Sequence, residues 1–328
     1  MRAMIVGYGP SIESRGAFHA KNMALAQGVE LVAICDRNEE ANRRAANDFP
    51  SVPRFPDFAR ALREARPELV VICTPHESHC DLAVESMRGG AHVAVEKPMT
   101  LTVAQADAMI AESRRQRRIL TVLHNRRWDP EYVVVKHHVR SGVFGKVFSI
   151  DSTMDQLIRP ASWRADPARG GGHIYDWGPH LVDQMVDLLG EGPQWVVAYA
   201  NNLGWNCGVD TWARLHMGFP DERLVTVQVA SNAWAKRPRF HVCGEMGGLI
   251  VSGKRFVLTA KSGSIEDQVP WQPPPNFWDH LRRVAAGEEE LWVKPEQARI
   301  TTRVLEGAVE SVRKGCKQVW FNGSGRKD

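Results

Sequence analysis

The sequence predicts an α/β protein that begins with a doubly wound parallel sheet and continues as an α+β domain with an open antiparallel sheet. In the first third of the chain, short apolar runs alternate with helical patterns, which is the arrangement of parallel βαβ units. Beyond it, apolar runs follow one another with few helical patterns between them, which favours antiparallel pairing. A length of 328 residues also exceeds one typical hydrophobic core. We therefore expect two domains.

Composition indicates an ordinary globular protein. Hydrophobic residues make up 43% and charged residues 24% of the chain, and the net charge is only +4. The densest basic cluster, 114–118, ends a predicted helix, where cations suit the helix dipole. The six cysteines form no CxxC pair, which fits a reducing compartment. With no leader-like or membrane-length apolar run, we expect a cytoplasmic protein without nucleic-acid or membrane partners.

The alternation in the first domain can be followed run by run. The apolar runs are 3–6, 31–35, 69–73, 92–95 and 119–123, and helical patterns lie near 17–27, 38–48, 57–65, 79–89 and 102–116. Ligands of such sheets bind at the carboxyl ends of the strands. The residues that follow each run are therefore the first candidates for a site.

The first run ends in a glycine-rich turn, Gly7-Tyr8-Gly9, and the second ends at Asp36. A strict GxGxxG pattern would place Ile12 where the third glycine belongs, whereas a four-residue insertion makes Gly16 that glycine. The second interpretation leaves twenty residues to Asp36, close to the usual interval of about 20 in dinucleotide-binding folds. The turn would then approach a pyrophosphate, and the following helix would direct its N-terminal amides at it.

The acidic residue after the second run bears on cofactor choice. Asp36 should accept hydrogen bonds from the ribose hydroxyls of NAD and repel the 2′-phosphate of NADP. Arg37 could pair with such a phosphate, although a solvated loop arginine is the simpler interpretation. We expect NAD to be preferred, with NADP possible.

The third run is followed by Cys73-Thr74-Pro75-His76-Glu77-Ser78-His79-Cys80. Two histidines and two cysteines resemble metal ligands, but their spacing matches no common zinc site and His79 should open a helix. We expect no metal, and we interpret Thr74, Pro75 and His79 as lining the nucleotide cleft.

The fourth run ends in Glu96-Lys97-Pro98. Pro98 fixes its own φ and biases Lys97 towards an extended conformation, which would hold the lysine at the strand end. Taken alone, a surface Glu–Lys pair would explain these residues equally well.

A further motif lies in the second half of the chain, where three glycines, 170–172, precede a helical pattern. Asp176, His180 and Asp183 fall on one face at i, i+4 and i+7. The glycines would allow a flat ligand close to the backbone, and a carboxylate and an imidazole one turn apart could reach one ligand hydroxyl. The alternative is a glycine-rich loop before a helix with a solvated polar face, which Pro179 would either start or kink.

Together these motifs resemble the Gfo/Idh/MocA family of oxidoreductases, which includes glucose-fructose oxidoreductase and inositol dehydrogenase. The matching pieces are Gly7-Tyr8-Gly9, Cys35-Asp36, Cys73-Thr74-Pro75 with His79, Glu96-Lys97-Pro98, Gly170-Gly171-Gly172 and Asp176-Trp177-Gly178-Pro179-His180-Leu181-Val182-Asp183. The lengthened loop after Gly9 is the main departure. The resemblance implies an NAD(P)-dependent dehydrogenase acting on a hydroxyl of a sugar, polyol or cyclitol, and a homodimer or homotetramer.

The resemblance also implies roles for the matching residues. His180 would be the general base, Lys97 would polarise the substrate oxygen, and Asp176 would orient the substrate or His180. Arg127 and Trp163 are further candidates for substrate binding. The cofactor would be bound by Gly7, Tyr8, Gly9, Gly16, Asp36, Arg37, Thr74, Pro75, His79, Glu96 and Lys97.

The expected boundary divides a Rossmann domain, residues 1–124, from a substrate-binding and oligomerisation domain, residues 125–328. All eleven tryptophans lie after residue 124. Strand-like runs occur at 147–150, 195–200, 212–217, 224–230, 240–242 and 256–259, with one strong helix after Gly172 and a surface loop at 264–275. A final helix near 296–314 could pack back on the first domain.

Two other functions remain open at this stage. The protein could retain NAD and carry out net non-redox chemistry such as glycoside cleavage through transient oxidation. It could also be a nucleotide-binding sensor without turnover. The presence of Lys97, Asp176 and His180 argues against a sensor.

Overall fold

The computed structural model describes residues 1–11, 14–261 and 263–321 and divides into two compact units. One unit comprises Met1–Leu123 and Pro275–Arg299, and the other begins with His124–Pro274 and resumes at Ile300. The segment 275–299 thus belongs with the first unit, whereas the sequence had assigned it to the second domain. The reason is burial, because Trp278 and Leu281 are each 2% exposed within the same core cluster as Ile5 and Ile34.

The first unit contains a six-stranded parallel sheet of order β3-β2-β1-β4-β5-β6, which confirms the doubly wound fold. Its strands are β1 (Arg2–Val6), β2 (Glu30–Cys35), β3 (Arg54–Phe55), β4 (Leu69–Ile72), β5 (His92–Val95) and β6 (Leu120–Val122). Its helices include α1 (Arg15–Met23), α2 (Glu39–Asp48), α3 (Phe58–Ala65), α4 (His79–Arg88) and α5 (Val103–Gln116). The strand order reverses between β1 and β4, so the carboxyl ends of these strands form the switch point where such folds bind ligands.

Side-chain caps explain why several helices begin close to their predicted starts. Asn38, Asp57 and Thr102 each accept a hydrogen bond from a backbone N–H of the first turn, at 3.1, 2.7 and 3.3 Å. These bonds satisfy amides that have no partner within the helix. The caps therefore determine where α2, α3 and α5 leave the preceding loop.

The second unit is built on a nine-stranded sheet of order β14-β13-β12-β11-β7-β10-β9-β8-β15. Its strands are β7 (Val147–Asp155), β8 (Trp195–Asn201), β9 (Trp212–Phe219), β10 (Arg223–Ala230), β11 (Phe240–Gly244), β12 (Gly247–Ser252), β13 (Arg255–Ala260), β14 (Gly263–Gln268) and β15 (Val319–Trp320). Neighbouring strands pair antiparallel except β7 and β10, which pair parallel. The open antiparallel sheet is therefore confirmed with one parallel pair.

The helices that follow β6 along the chain depart from expectation in one respect. They are α6 (Pro130–Arg140), α7 (His173–Asp176), α8 (Gly178–Leu189), α9 (Phe277–Ala285) and α10 (Pro295–Arg313). The expectation of one strong helix beside the sheet was wrong, because α6 also forms there. Its run of three β-branched residues, 133–135, resembles a strand, yet Val134 and Val135 pack into the core of the unit.

The segment 264–275 also differs from its prediction as a surface loop. Its beginning belongs to β14, which pairs with β13 along its whole length. Every residue of β14 is exposed, so the strand has no apolar alternation by which a sequence could reveal it. Among the described residues, no helix is long and apolar enough to cross a membrane.

Candidate functional site

The glycine-rich turn at the end of β1 is required by close backbone packing. Gly7 has a φ of +87°, and a Cβ there would lie 2.8 Å from backbone atoms of Cys73 and Thr74. At Gly16 a Cβ would lie 2.1 Å from the carbonyl oxygen of Gly7. Gly16 therefore lets α1 pack against the turn, which is the task of the third glycine in a dinucleotide fold. Ile12, the alternative candidate for that position, lies outside the described residues.

The N-terminus of α1 fits a pyrophosphate. The Ser14 hydroxyl accepts a hydrogen bond from the N–H of Ser11 at 3.1 Å and does not cap the helix. The first turn carries no acidic side chain and begins with Arg15. The N–H of Ala17 donates to the carbonyl oxygen of Tyr8 at 3.1 Å, so it is the amides before Ala17, together with the positive end of the helix dipole, that favour an anion at this place. The residues of this turn thus suit the NAD-binding role.

Asp36, the first residue after β2, supports the glycine-rich turn. Its Oδ2 accepts from the N–H of Gly9 at 2.9 Å, and its Oδ1 accepts from the N–H of Asn38 at 2.9 Å. Each carboxylate oxygen can accept more than one hydrogen bond, so both can still receive ribose hydroxyls. Arg37 next to it is exposed.

Tyr8 faces the core and not the cleft side of the turn. Its ring is fully buried, and its hydroxyl donates to Asp48 Oδ2 at 2.5 Å. Desolvation by burial and the hydrogen bond to Asp48 raise the pKa of Tyr8 above its usual range. Any contact of Tyr8 with a cofactor would therefore be made by its backbone.

The loop after β4 is braced by the imidazole of His79. This buried ring lies 3.0 Å through Nδ1 from the carbonyl oxygen of Pro98 and 2.9 Å through Nε2 from that of Thr74. The hydroxyl oxygen of Ser78 lies 2.7 Å from Thr74 Oγ1 and 2.8 Å from the carbonyl oxygen of Pro75. His79 thus connects the ends of β4 and β5, and its ring nitrogens are occupied by protein carbonyls.

Glu96 anchors the end of β5 from inside the protein. It is 5% exposed, and its carboxylate accepts from Arg15 Nε at 2.9 Å and from the N–H of Lys97 at 3.1 Å, while His19 Nε2 lies at 2.8 Å. Burial alone would raise the pKa of Glu96, but the hydrogen bond with His19 and the charge of Arg15 outweigh it and hold the pKa well below its usual range. The pKa of His19 is lowered by burial, so a neutral ring donates to an ionised carboxylate.

This arrangement gives Lys97 a defined backbone and a half-buried side chain. Its peptide bond to Pro98 is cis, and its own N–H is bound to Glu96. Lys97 lies just past the carboxyl end of β5, the edge at which doubly wound sheets generally bind ligands. Glu96, which the sequence predicts to contact the cofactor, supports this strand end through its hydrogen bonds with Arg15 and the N–H of Lys97.

In the second unit, the glycines serve the packing of the protein itself. A Cβ at Gly171 would lie 2.6 Å from the carbonyl oxygen of Arg164 and 2.7 Å from that of Asp166. At Gly172, whose φ is +96°, a Cβ would lie 2.1 Å from Asp210 Oδ1. At Gly171 and Gly172 the packing of the protein itself therefore already requires glycine.

The helical pattern that follows is divided into two helices. Asp176 is the last residue of α7, Trp177 separates the helices, and His180 lies in the first turn of α8. Pro179 is at the N-terminus of α8, where its missing N–H costs nothing, and it prevents one continuous helix. The one-turn spacing between Asp176 and His180 is thus interrupted by a bend.

Polar and aromatic groups surround these two residues. Arg164 Nε lies 3.4 Å from Asp176 Oδ2, and the Arg164 guanidinium stacks 4.5 Å from the ring centre of Trp163. His180 is 7% exposed, and its ring centre lies 5.7 Å from that of Trp177. A cation and aromatic faces beside a carboxylate suit a polyhydroxylated ligand.

Arg127 does not face solvent as a substrate-binding residue should. It is 5% exposed and donates to Asp183 through Nε at 2.8 Å and through Nη2 at 2.7 Å. Asp187 Oδ1 lies 3.5 Å from its Nη1. Burial would lower the pKa of Arg127, but the charges of Asp183 and Asp187 raise it above its usual range. The geometry makes Arg127 a structural ion-pair partner.

Three residues that contact the candidate site residues or their neighbours belong to no recognisable sequence motif. Arg15 and His19 reach Glu96 from 81 and 77 positions away, and Asp210 reaches Ile174 from 36 positions away. Only the fold brings such partners together. An arginine directly before the third glycine was the one available hint.

Comparison with known proteins gives a consistent result. Residues 1–124 match a family model described as "Oxidoreductase family, NAD-binding Rossmann fold", and residues 132–250 match that of the "GFO/IDH/MocA C-terminal domain". The chain is 30% identical over 256 residues to the uncharacterized oxidoreductase YdgJ of Escherichia coli, covering 77% of this chain and 71% of that protein. It is 25% identical over 320 residues to scyllo-inositol 2-dehydrogenase (NADP(+)) IolW of Bacillus subtilis, covering 95% and 86%.

A solved structure extends the comparison to the whole fold. The NAD-binding protein from Listeria innocua has a TM-score of 0.88 and 25% identity, with 99% of this chain and 98% of that chain covered. Its likeness spans both units, and the two family models lie in the same order as the two sheets. The chain therefore belongs to the Gfo/Idh/MocA family of oxidoreductases and begins with an NAD-binding Rossmann domain.

Proposed function

We propose that the protein transfers a hydride between a nicotinamide cofactor and a hydroxyl-bearing carbon of a sugar, polyol or cyclitol. The main observation behind this proposal is that buried Glu96 binds the backbone N–H of Lys97 and so fixes this lysine at the end of β5. The placement of Asp176 and His180 on adjoining helices, and a relative named as a scyllo-inositol dehydrogenase, agree with it.

The residues divide the work of such a reaction. The nicotinamide, when bound, accepts or supplies the hydride. His180 removes the proton of the substrate hydroxyl, and the Lys97 ammonium donates a hydrogen bond to the oxygen as negative charge develops there. Asp176 accepts a hydrogen bond from the substrate or from His180 and so holds the reacting hydroxyl in place.

A panel of sugars and polyols offered to the purified protein with NAD or NADP tests the proposal. Net formation of reduced cofactor supports a dehydrogenase. Product without net reduction, from protein that retains its cofactor, would favour non-redox chemistry, and nucleotide binding without any product would favour a sensor. Each result leaves one of the three functions standing.

We expect NAD to bind more tightly than NADP, and Asp36→Ser to reduce that preference. The substitution removes both the hydrogen bonds to the ribose and the repulsion of a 2′-phosphate. Isothermal titration with each nucleotide gives the ratio of the two dissociation constants for wild type and variant.

Arg37→Ala is the matched control, because it removes the neighbouring charge and keeps Asp36. If wild-type protein binds NADP at least as well as NAD, the role given to Asp36 is wrong. Loss of NADP binding in Arg37→Ala would then identify Arg37 as the phosphate partner.

We also expect a homodimer or homotetramer. The sheet of the second unit exposes apolar side chains on the face opposite its core, among them Tyr199, Leu224, Ile250 and Val257. Monomers seldom leave such side chains uncovered, so we expect a second copy of the chain to cover them. Light scattering at micromolar concentration measures the mass directly, and a monomer would contradict the expectation. Ile250→Asp should lower the mass, whereas Leu25→Asp, at an apolar site of the first unit that is even more exposed (79% against 41%), should not.

A further inference from the structure

The loop before β9 brings a carboxylate, Asp210, against the segment that carries Asp176 and His180. We propose that Asp210 is a positioning residue, which caps the first turn of α7 and thereby fixes the place of Asp176. Its catalytic meaning rests on the proposed function, but its structural part can be tested without turnover.

Asp210 binds the start of α7 twice. Its Oδ2 accepts from the N–H of Ile174 at 2.9 Å, and its backbone oxygen accepts from the N–H of His173 at 3.2 Å. Amides in the first turn have no partner within a helix, and the N-cap position is held by Gly172, which has no side chain. Asp210 supplies from outside the helix the cap that Gly172 cannot provide.

The fit between Asp210 and Gly172 leaves no room for another side chain. A Cβ at Gly172 would lie 2.1 Å from Asp210 Oδ1, and the φ of +96° at this position further disfavours any other residue. The third glycine of the motif is therefore explained by the carboxylate that packs on it. Gly172, which belongs to the glycine motif, and Asp210, which belongs to no motif, thus pack together at the start of α7.

Asp210 is itself firmly attached. The next residue, Thr211, is fully buried, and its N–H and hydroxyl donate to the carbonyl oxygens of Asn201 and Leu203, both at 2.8 Å. Val209 on the other side is 5% exposed. Asp210 therefore lies between two buried residues just before β9, and these neighbours fix its backbone. Asp210 in turn holds the first turn of α7 in a fixed place relative to the sheet.

The charges around Asp210 suggest a functional reason for keeping it. Burial raises the pKa of Asp210 to about 6, the Asp176 charge adds to this, and hydrogen bonds from Ile174 and His173 oppose it. Arg164 Nε lies 3.4 Å from Asp176 Oδ2. Burial raises the pKa of Tyr175, and the charge of Asp210 adds to that increase.

The raised pKa of Asp210 makes the stability of the folded protein depend on pH. A carboxyl whose pKa is raised on folding contributes stability below its ordinary pKa, and that contribution is lost as pH rises through about 6. At pH 8 the ionised Asp210 thus costs stability. Groups retained at such a cost are more typical of functional sites than of the core.

The experiment compares Asp210→Ala, which removes the cap, with Asp210→Asn, whose amide oxygen can still accept from Ile174. We expect hydrogen–deuterium exchange of a peptide covering 170–180 to accelerate in the Ala variant and to stay near wild type in the Asn variant. Turnover should fall roughly 10–100-fold for Ala and less for Asn, because misplaced catalytic groups lose rate. The NAD dissociation constant should not change, and the melting temperature of Asn at pH 8 should equal or exceed that of wild type.

Asp267→Ala, at an exposed carboxylate of β14, is the control for all four measurements. Unchanged exchange at 170–180 in Asp210→Ala would overturn the cap. Faster exchange with unaltered turnover, in a protein whose wild type is active, would overturn the positioning role. If the wild type turns over no sugar or polyol, the proposed function fails, and the exchange measurement still decides the structural part.

Discussion

Replacing Lys97 with methionine should lower turnover by roughly 10²–10⁴-fold, the usual cost of losing a positioned acid or base. Methionine keeps an unbranched stem but removes the cation that would stabilise negative charge on the substrate oxygen. The Glu96 network binds the backbone N–H of residue 97, which the substitution leaves in place. Initial rates with an active sugar or polyol, together with an NAD titration, separate lost chemistry from lost binding.

Lys146→Met serves as the control, because Lys146 is an exposed lysine of the second unit. It should match wild type in rate and in nucleotide affinity. A Lys97→Met protein with wild-type turnover would remove Lys97 from the catalytic set. A variant that no longer binds NAD would mean that Lys97 acts on the cofactor and not on the substrate.

Arg127→Met should destabilise the folded protein by about 3–5 kcal/mol, because it leaves the buried carboxylate of Asp183 without its main cation, whereas Asp187 keeps Lys136 at 2.7 Å. Asp183 is 1% exposed and receives two hydrogen bonds from Arg127, and Asp187 lies beside it. Urea unfolding followed by circular dichroism measures the loss. A change within the range of a surface substitution would show that Arg127 is not the structural partner described above.

A matched control is the exposed ion pair of Arg255 and Glu266, whose nitrogen and oxygen lie 2.9 Å apart. Arg255→Met should cost at most about 1 kcal/mol, since water screens this pair. In addition, Arg127→Met combined with Asp183→Leu should be less damaging than Arg127→Met alone, because the uncompensated charge is removed with its partner.

The first unit could be predicted closely because several local signals agree. Its strands are buried on both faces and therefore form continuous apolar runs, and caps such as Asn38 and Asp57 mark helix starts. The second unit was predicted less completely. A β-branched run in α6 resembles a strand, and the exposed strand β14 lacks the alternation that burial would impose.

The candidate site shows the same division. Lys97, Asp176 and His180 could be singled out because they belong to motifs of neighbouring residues. The groups that hold them could not, because Glu96 meets His19 and Arg15, and Ile174 meets Asp210, only after folding. Arg127 was misjudged because arginines are mostly exposed, and its burial depends on a carboxylate 56 positions away.

The return of residues 275–299 to the first unit has a consequence for biosynthesis. Trp278 and Leu281 fill the core beside β1 and β2, and the hydroxyl of Thr121 on β6 donates to the carbonyl of Val293. A ribosome that has made only the first 124 residues has not yet supplied these groups, although N-terminal domains commonly fold first during synthesis. The nascent Rossmann sheet must therefore wait, with part of its apolar surface uncovered, until some 150 further residues have emerged. For the same reason a fragment ending at Leu123 should be aggregation-prone, even though it contains every strand of its sheet.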